Sequence, residues 1–357
     1  MAGEGGQPME QDTKQAAGVV LARLSAVVVG EGIAHERMVL FPLFAEDGDG
    51  SSREAFDYRT IEEAIAEGWV EVSEQPAATV PELVLWNKST AIVLVLDGEE
   101  IVGGRQNRIV NVTFLVGAGA KATLPVSCVE HGRWHEVSPR FAPGEVSYFS
   151  LKREKHEQVR ANLRASGQPM ADQSAIWGRL AERHAAARTD SATGAMDDLY
   201  KKREEALAGY ARAFAYVVGA VGMIVALDGG IAGAEIFDQS RTAAALWPKL
   251  VRSYALDAPD GSGGALVEHG GAVGFLARTQ GARCEVYPSL ALGEDVRLEG
   301  DGVIGAALVY RSVPVHIGLF RTRDGSASGR GGMVAASLRR RFRSRPTGRG
   351  QATGDER

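Results

Sequence analysis

The sequence predicts an α+β fold in which two β-rich antiparallel portions flank a helical middle segment. Residues 81–129 alternate apolar, β-branched runs with turn residues at a spacing of roughly 8–12 residues, which is typical of antiparallel sheets. Residues 151–214 are rich in Ala, Arg, Glu, Lys and Gln and almost lack β-branched residues, which favours helices. Between residues 217 and 320, β-branched runs return between glycine-rich turns.

The same patterns predict the individual elements. Thr60 and Glu63 have the spacing of a capping box and predict a short helix that ends near Glu67, before Gly68. Asp97 and Gly98 form a dipeptide typical of hairpin turns. Helices are expected to break at residues 167–169 and 189–194, and another helix is predicted at 247–256. Strands are predicted at residues 83–86, 91–96, 108–116, 120–128, 222–227, 274–277, 283–288, 295–298, 304–310 and 313–320.

These elements divide the chain into five segments. We expect a disordered N-terminus (1–16), a β-rich portion (17–150), a helical segment (151–216), a second β-rich portion (217–320) and a disordered Arg-rich tail (321–357). Residues 318–357 hold ten arginines, no lysine and three acidic residues, a local charge of +7, whereas the whole chain carries −5. The body is therefore acidic and the tail basic.

Composition excludes several classes of protein. The 357 residues are 45% hydrophobic and 24% charged, which excludes a fibrous or wholly disordered chain. The longest apolar run, 214–227, is shorter than the roughly 18–20 residues that span a bilayer, so no membrane partner is predicted. With two cysteines and no secretory signal, a cytoplasmic location is expected. Nucleic-acid binding is not predicted beyond weak contact by the basic tail.

Three carboxylates crowd the segment after the predicted strand 91–96. Asp97, Glu99 and Glu100 stand within four residues, and such crowding is relieved by a divalent cation, by arginines or by a retained proton. They are the candidate catalytic residues, as general acid or base or as ligands of a divalent cation. The alternative interpretation is a hairpin turn with solvated acids.

Polar residues on the following segments form a candidate ligand site. Glycines at 103 and 104 allow close backbone approach, and arginine side chains match phosphate or carboxylate oxygens. The segment lacks the Lys-Ser/Thr of a phosphate-binding loop, and a strand rather than a helix follows it. An internal ion-pair network is the alternative. The candidate ligand-binding residues are Gln106, Asn107, Arg108, Asn111, Glu130, Arg133 and Trp134.

Cys128 lies on the apolar face of the predicted strand 120–128, with Leu124 and Val126. A buried, inert cysteine is the favoured interpretation, and a nucleophile activated by His131 or His135 is the alternative. Cys128, His131 and His135 also have a spacing that suits metal ligands, but a structural zinc needs four ligands and no second cluster lies nearby. No metal-binding residues are therefore assigned, and a divalent cation stays open as a cofactor.

The motif segments together resemble the ARG and rhodanese-phosphatase-superfamily-associated protein domain, where ARG stands for ADP-ribosylglycohydrolase. The resemblance rests on residues 96–100 (Leu-Asp-Gly-Glu-Glu), Gly103, residues 106–108 (Gln-Asn-Arg), 125–130 (Pro-Val-Ser-Cys-Val-Glu) and 132–134 (Gly-Arg-Trp). Supporting matches occur at 41–43, 173–177, 247–250 and 253–257, so that the resemblance covers residues 24–320. It implies a role associated with ADP-ribose or NAD metabolism and no demonstrated activity.

Two functions are expected from this reading. The first is a hydrolase or ligand-binding module for a phosphate-containing, ADP-ribose-like nucleotide derivative. In the hydrolase version, Asp97, Glu99 or Glu100 supplies the acid or base, Arg108 and Arg133 hold phosphate oxygens, and Asn107 and Asn111 orient the ligand. The second is a non-catalytic scaffold or protein-interaction domain. The sequence does not decide whether the protein is an enzyme.

Overall fold

The fold is known from a computed structural model that describes residues 7–46, 56–74, 82–133, 135, 136, 138, 141–259 and 266–322. Within these residues the chain forms eight helices: α1 (Gln7–Ser25), α2 (Ile61–Ala66), α3 (Phe149–Ser166), α4 (Gln173–Ala187), α5 (Met196–Lys202), α6 (Glu204–Ala213), α7 (Ser240–Asp257) and α8 (His269–Ala277). None of these helices is long and apolar enough to cross a membrane.

The described residues also form eighteen strands. Twelve precede the helical segment: β1 (Val27–Val29), β2 (Ile33–His35), β3 (Met38–Ala45), β4 (Tyr58–Thr60), β5 (Val70–Glu74), β6 (Glu82–Asn87), β7 (Ile92–Val95), β8 (Glu99–Val102), β9 (Arg108–Val110), β10 (Phe114–Val116), β11 (Lys121–Cys128) and β12 (Ala142–Val146). Six follow it: β13 (Gly222–Leu227), β14 (Gly230–Phe237), β15 (Arg283–Pro288), β16 (Glu294–Gly300), β17 (Val303–Tyr310) and β18 (Val313–Arg321).

A nine-stranded antiparallel sheet joins the two β-rich portions. Its order is β1-β3-β13-β14-β18-β17-β16-β15, with β2 also paired to β3. The pairing of β3 with β13 places Phe41 opposite Ile224 and so links the two β-rich portions of the chain. The chain up to Arg321 is accordingly a single compact unit rather than two domains.

Alternation along β3 shows how this sheet is covered on both faces. Met38 and Leu40 pack with the helices α3 to α7, whereas Val39 and Phe41 pack with α1 and α8. Successive side chains of a strand point to opposite faces, so each face receives its own apolar set. The sheet is therefore the middle of three layers, and α3 lies in the layer that also faces the smaller sheets.

The smaller sheets contain the predicted motif segments. One has the order β10-β7-β4, in which β4 and β7 are parallel, and the other has the order β12-β8-β9-β11-β6-β5. The turn at Asp97 and Gly98 carries the chain from β7 in one sheet to β8 in the other, so the hairpin expected there is wrong. The three carboxylates near this turn are buried rather than solvated.

The predicted capping box is confirmed at the start of α2. Glu63 donates its backbone N–H to Thr60 Oγ1 at 3.3 Å, and its carboxylate accepts the Thr60 N–H at 2.8 Å. These two bonds satisfy backbone groups that the first turn leaves unpaired. Gly68, with φ of +70°, then turns the chain away after the helix.

The helical middle segment is also confirmed, and its first predicted break falls at Gly167, which adopts the left-handed conformation with φ of +69°. The α+β class with two β-rich portions around these helices is confirmed as well. The predicted strands do not include β1, β2, β3, β4, β8, β12 or β14. The segment predicted as one strand at 108–116 is divided into β9 and β10.

Two expectations about local structure are wrong. Residues 7–16, expected to be disordered, belong to α1, because Ala16, Val20 and Leu24 recur every four residues and bury one helix face on the sheet. Residues 274–277, expected to be a strand, end α8, where Ala272 and Phe275 are buried at helical spacing. The Arg-rich tail lies outside the described residues from 323 onward.

Candidate functional site

Glu130 and Arg133, both predicted to bind a ligand, form a buried ion pair. Glu130 Oε2 lies 2.6 Å from Arg133 Nη2, and Thr193 Oγ1 donates to Glu130 Oε1 at 2.9 Å. Arg133 also donates to the Gly104 carbonyl oxygen at 2.7 Å and to Asn107 Oδ1 at 2.8 Å. Burial raises the pKa of Glu130, but the hydrogen bonds from Arg133 and Thr193 outweigh it and hold the pKa below its usual value.

Other predicted ligand residues extend this network. Gln106 Nε2 donates to the Glu130 carbonyl oxygen at 2.8 Å. Arg108 Nη1 lies 3.2 Å from Glu74 Oε1 and donates to the Gln106 carbonyl oxygen at 3.0 Å. These side chains bond one another and the backbone. We call the set the motif network, consisting of Glu74, Gln106, Asn107, Arg108, Glu130, Arg133 and Thr193.

Two predicted ligand residues lie apart from the motif network. Asn111 follows the end of β9, and its Oδ1 accepts a hydrogen bond from Ser127 Oγ at 2.8 Å. Its Nδ2 donates to the Pro169 carbonyl oxygen at 3.4 Å. Trp134 lies outside the described residues.

The three candidate catalytic carboxylates have separate surroundings. Asp97 pairs with Lys155. Glu99 Oε2 accepts the Leu96 N–H at 2.8 Å, and burial raises the pKa of Glu99 to about 7. Burial raises the pKa of Glu100 to about 8, although the Glu145 backbone and the Asn107 side chain oppose that rise. They do not form one shared carboxylate cluster.

A second buried group of charged residues, which the sequence analysis missed, lies where α3 meets the sheets. Asp97 and Thr113 come from turns of the smaller sheets, and the other members come from α3 and from three strands of the large sheet. We call this set the junction cluster, consisting of Asp97, Thr113, Lys152, Lys155, His156, Glu235, Asp295, Arg297 and His316.

Part of the junction cluster forms a continuous chain of hydrogen bonds. Lys152 Nζ lies 2.5 Å from Glu235 Oε1, and His316 Nε2 lies 2.7 Å from Glu235 Oε2. His316 Nδ1 is 3.1 Å from Thr113 Oγ1, which also accepts the Asp97 N–H at 3.0 Å. Burial raises the pKa of Glu235, but Lys152 and His316 outweigh burial, so that the pKa is lowered. The carboxylate is thereby kept charged between Lys152 and His316.

Lys155 also belongs to the junction cluster, and it bonds Asp97 and two backbone carbonyl groups at the end of β9. Besides Asp97, it donates to the carbonyl oxygens of Val110 and Asn111, at 2.6 and 3.2 Å. Burial lowers the pKa of Lys155, with Asp97 opposing that shift. Lys155 therefore connects α3 to the end of β9 through hydrogen bonds.

The junction cluster surrounds a small cavity of about 20 Å³, which is room for a single water molecule. Three polar atoms on the residues that line it have no hydrogen-bond partner among the described residues: His156 Nε2, Asp295 Oδ1 and Arg297 Nε. The three residues are buried, each with 8% or less of its surface exposed. Buried polar atoms without partners are costly, and they mark places where a water or ligand binds.

The environment of His156 keeps its ring neutral. Burial lowers the pKa of His156 well below its usual range, and Arg297, Lys155 and Lys152 lower it further. A neutral imidazole nitrogen without a hydrogen atom can accept a hydrogen bond. Asp295 Oδ2 lies 2.5 Å from Arg297 Nη2, so that a carboxylate and a guanidinium stand together on one face of β16. The arrangement can hold a water between an acceptor, a carboxylate and a donor.

Cys128 is buried in β11, as predicted. Burial raises the pKa of its thiol, with Arg108 opposing that shift, and its backbone N–H and C=O bond Gln173 at 2.8 Å each. Among the described residues, no three His, Cys, Asp or Glu side chains are placed to hold a metal ion.

A family model for the ARG and rhodanese-phosphatase-superfamily-associated protein domain, ARPP-1, matches residues 26–320. The chain belongs to this family. The match includes every described member of both the motif network and the junction cluster. No curated protein and no solved structure gives a significant match, so the family name links the ARPP-1 domain to those superfamilies without naming a function.

A sequence signal for the junction cluster was present in α3 of this ARPP-1 domain. Lys152 and His156 share one helix face with Phe149, Val159 and Leu163, which are buried. Charged residues on the apolar face of an amphipathic helix indicate buried polar chemistry. Glu235 in β14 and His316 in β18 likewise interrupt otherwise apolar strands.

Proposed function

We propose that this protein is a hydrolase acting on a phosphate-containing nucleotide derivative of the ADP-ribose type, with its reaction centre at the junction cavity. One observation carries the proposal: three buried polar atoms without partners among the described residues belong to side chains that line a cavity with room for a single water. A water bonded there to His156 Nε2 and Asp295 Oδ1, and accepting from Arg297 Nε, is oriented as a nucleophile.

In this mechanism the water oxygen bonds to the electrophilic atom of the ligand while its proton passes to Asp295 Oδ1, and His156 Nε2 accepts a hydrogen bond that orients the water. The bond to the leaving group breaks, and the leaving group takes the proton back from Asp295. Arg297 and Lys152 stabilise the negative charge that develops on the ligand. Asp97 is the one carboxylate from the sequence-predicted catalytic set that lines the cavity, and its role is to orient Lys155 and the turn before β8.

The nucleotide part of the proposal is supported by the family name, which associates the domain with ADP-ribosylglycohydrolase. The cationic members of the junction cluster agree with an anionic ligand. The room in the cavity is for water alone, so the surrounding elements must separate when a ligand enters. Such opening commonly limits turnover.

The test is hydrolysis in ¹⁸O-labelled water of a panel containing ADP-ribose, NAD, ADP-ribosyl peptides and ADP-ribose phosphate esters. The expected result is ¹⁸O in one product, with turnover lowered at least about 100-fold in His156→Gln and Asp295→Asn. Asp301→Asn, at the exposed turn between β16 and β17, is the matched control and keeps full turnover. Absence of hydrolysis across the panel, or full activity of both cavity variants, refutes the proposal.

A further inference from the structure

A ligand-sized recess lies beside the motif network, with which it shares Thr193. Helix α4, residues 189 and 191–194, and residues 131 and 132 line it, and its volume is about 620 Å³. Volumes of this size accommodate small organic ligands. It shares no lining residue with the junction cavity, whose room is for one water only.

The recess has an aromatic wall. The rings of His131 and Trp177 lie 4.5 Å apart at 81°, edge to face. Trp177 is half-buried on α4, and Leu180, one turn later on the same helix, is buried beside it. An indole and an aliphatic side chain favour a flat, apolar ligand group that stacks.

Few polar side chains line the recess, and two of them have polar atoms that the described residues leave without partners. Both ring nitrogens of His184 and the hydroxyl oxygen of Thr189 have no hydrogen-bond partner among the described residues, although all three atoms are buried. None of the described lining residues is Asp, Glu, Lys or Arg. An uncharged ring that carries both donors and acceptors suits this lining better than a phosphate or a carboxylate does.

The motif network holds the recess in shape. Gly132 N donates to the Thr193 carbonyl oxygen at 2.7 Å, and a side chain at Gly132 would place Cβ 2.9 Å from Thr193 Cα. Thr193 in turn bonds Glu130, the partner of Arg133. At the other end of the segment, Thr189 N donates to the His184 carbonyl oxygen at 3.0 Å. Thr193 is therefore the member of the motif network that lines the recess, and the other members support its walls without lining it.

We propose that this recess is a nucleobase-binding site, in which a purine-like ring stacks on Trp177 and bonds the edge groups of His184 and Thr189. This site does not depend on hydrolysis at the junction cavity. The occupant is an uncharged heteroaromatic ring, whether it belongs to a free nucleoside or to a larger nucleotide derivative.

The test is calorimetric titration of the full chain with adenosine, with ribose 5-phosphate as a probe that has sugar and phosphate but no base. We expect adenosine to bind, ribose 5-phosphate not to bind, and Trp177→Leu to weaken adenosine binding at least tenfold. Thr189→Val, which preserves the side-chain shape, is expected to weaken binding severalfold. ADP-ribose is expected to compete with adenosine if the base of a larger nucleotide uses the same recess.

Trp86→Leu is the matched control, because Trp86 is a partly exposed tryptophan on β6, flanked by Lys88 and Lys121 away from the recess. It should bind adenosine as the wild type does. No adenosine binding by the wild type, or equal binding by Trp177→Leu and Trp86→Leu with all variants folded by circular dichroism, overturns the proposal. Binding of an aromatic peptide in place of adenosine also overturns it, since the recess would then be a protein-docking site.

Discussion

The motif network and the junction cluster are both buried and charged, yet they differ in how completely their groups are paired. In the motif network, Arg133 donates to three acceptors and Glu130 accepts through both oxygens. In the junction cluster, His156, Asp295 and Arg297 each leave one polar atom without a partner among the described residues. The motif network leaves Gln106 Oε1 as its one buried side-chain atom without a partner among the described residues. The more completely paired network stabilises the fold, whereas the less completely paired one can bind water or a ligand.

The largest expected effect comes from breaking the motif network. Arg133→Met leaves the Glu130 carboxylate buried without its cation, and we expect the free energy of unfolding to fall by about 3–5 kcal/mol. Urea denaturation measures this loss. Adding Glu130→Gln should restore part of it, because the uncompensated charge is then gone.

A surface pair provides the control for that experiment. Arg164 bonds Glu285 and Glu299, but its side chain is 38% exposed, so Arg164→Met should cost under about 1 kcal/mol. If Arg133→Met costs no more than Arg164→Met, the motif network does not stabilise the fold in the way its geometry indicates.

The contrast between the two regions also explains what the sequence could predict. Members of the motif network lie close together along the chain, and their segments carried the family resemblance, so they were recognised as a group. Their alternative interpretation, an internal ion-pair network, describes the contacts that they make. The three neighbouring carboxylates were also recognised, but alternation along β8 and the turn before it direct them to different surroundings.

The junction cluster was not predictable in the same way. Lys152 and Glu235 are 83 positions apart, and Thr113 and His316 are 203 apart. Their meeting depends on the pairing of β14 with β18 and on α3 packing between sheets, which no local pattern encodes.

The capping box of α2 and the helical middle were predictable because their causes lie within a few residues. The prediction of disorder at residues 7–16 was wrong because polar residues outnumber the few apolar residues of α1 that pack on the sheet.

The next largest effect concerns pH and a carboxyl group that belongs to neither network. The folded state keeps a proton on Glu100 up to its pKa of about 8, whereas the unfolded chain releases that proton near pH 4.5. Between these values the folded state binds more protons, so the free energy of unfolding should fall as pH rises. Glu99, with a pKa of about 7, adds to the same trend.

Glu100→Gln isolates the contribution of Glu100. The variant should match the wild type at pH 5 and exceed its stability at pH 9, by on the order of 3 kcal/mol. Urea midpoints at both pH values measure the difference. A wild type that is as stable as Glu100→Gln at pH 9 would show that the charged carboxylate finds partners in the folded state.

A smaller effect is expected at Cys128, which lies against Arg108 of the motif network. Burial raises the pKa of this thiol, and the side chain is fully buried. Cys128→Ser should lower the free energy of unfolding by about 1–3 kcal/mol, because a hydroxyl is harder to bury than a thiol. Cys128→Ala should cost less. Thiol reagents should modify the native protein slowly at pH 7, and rapid stoichiometric labelling of Cys128 would instead support a nucleophilic role.

The smallest effect on stability is expected in the junction cluster, at His156. The buried ring is neutral, and its Nε2 has no partner among the described residues, although the ring also hydrogen-bonds the Gly305 backbone. His156→Leu therefore removes one unpaired polar atom and one hydrogen bond, and it keeps an apolar contact with Phe320, whose ring centroid lies 4.9 Å away. The two changes oppose each other, so the free energy of unfolding should fall by less than about 1 kcal/mol. The same substitution removes the acceptor for the cavity water and should abolish the proposed hydrolysis. A loss of several kcal/mol would mean that His156 is bonded as completely as Arg133, and the distinction between the two regions would then fail at the residue where it matters most for function.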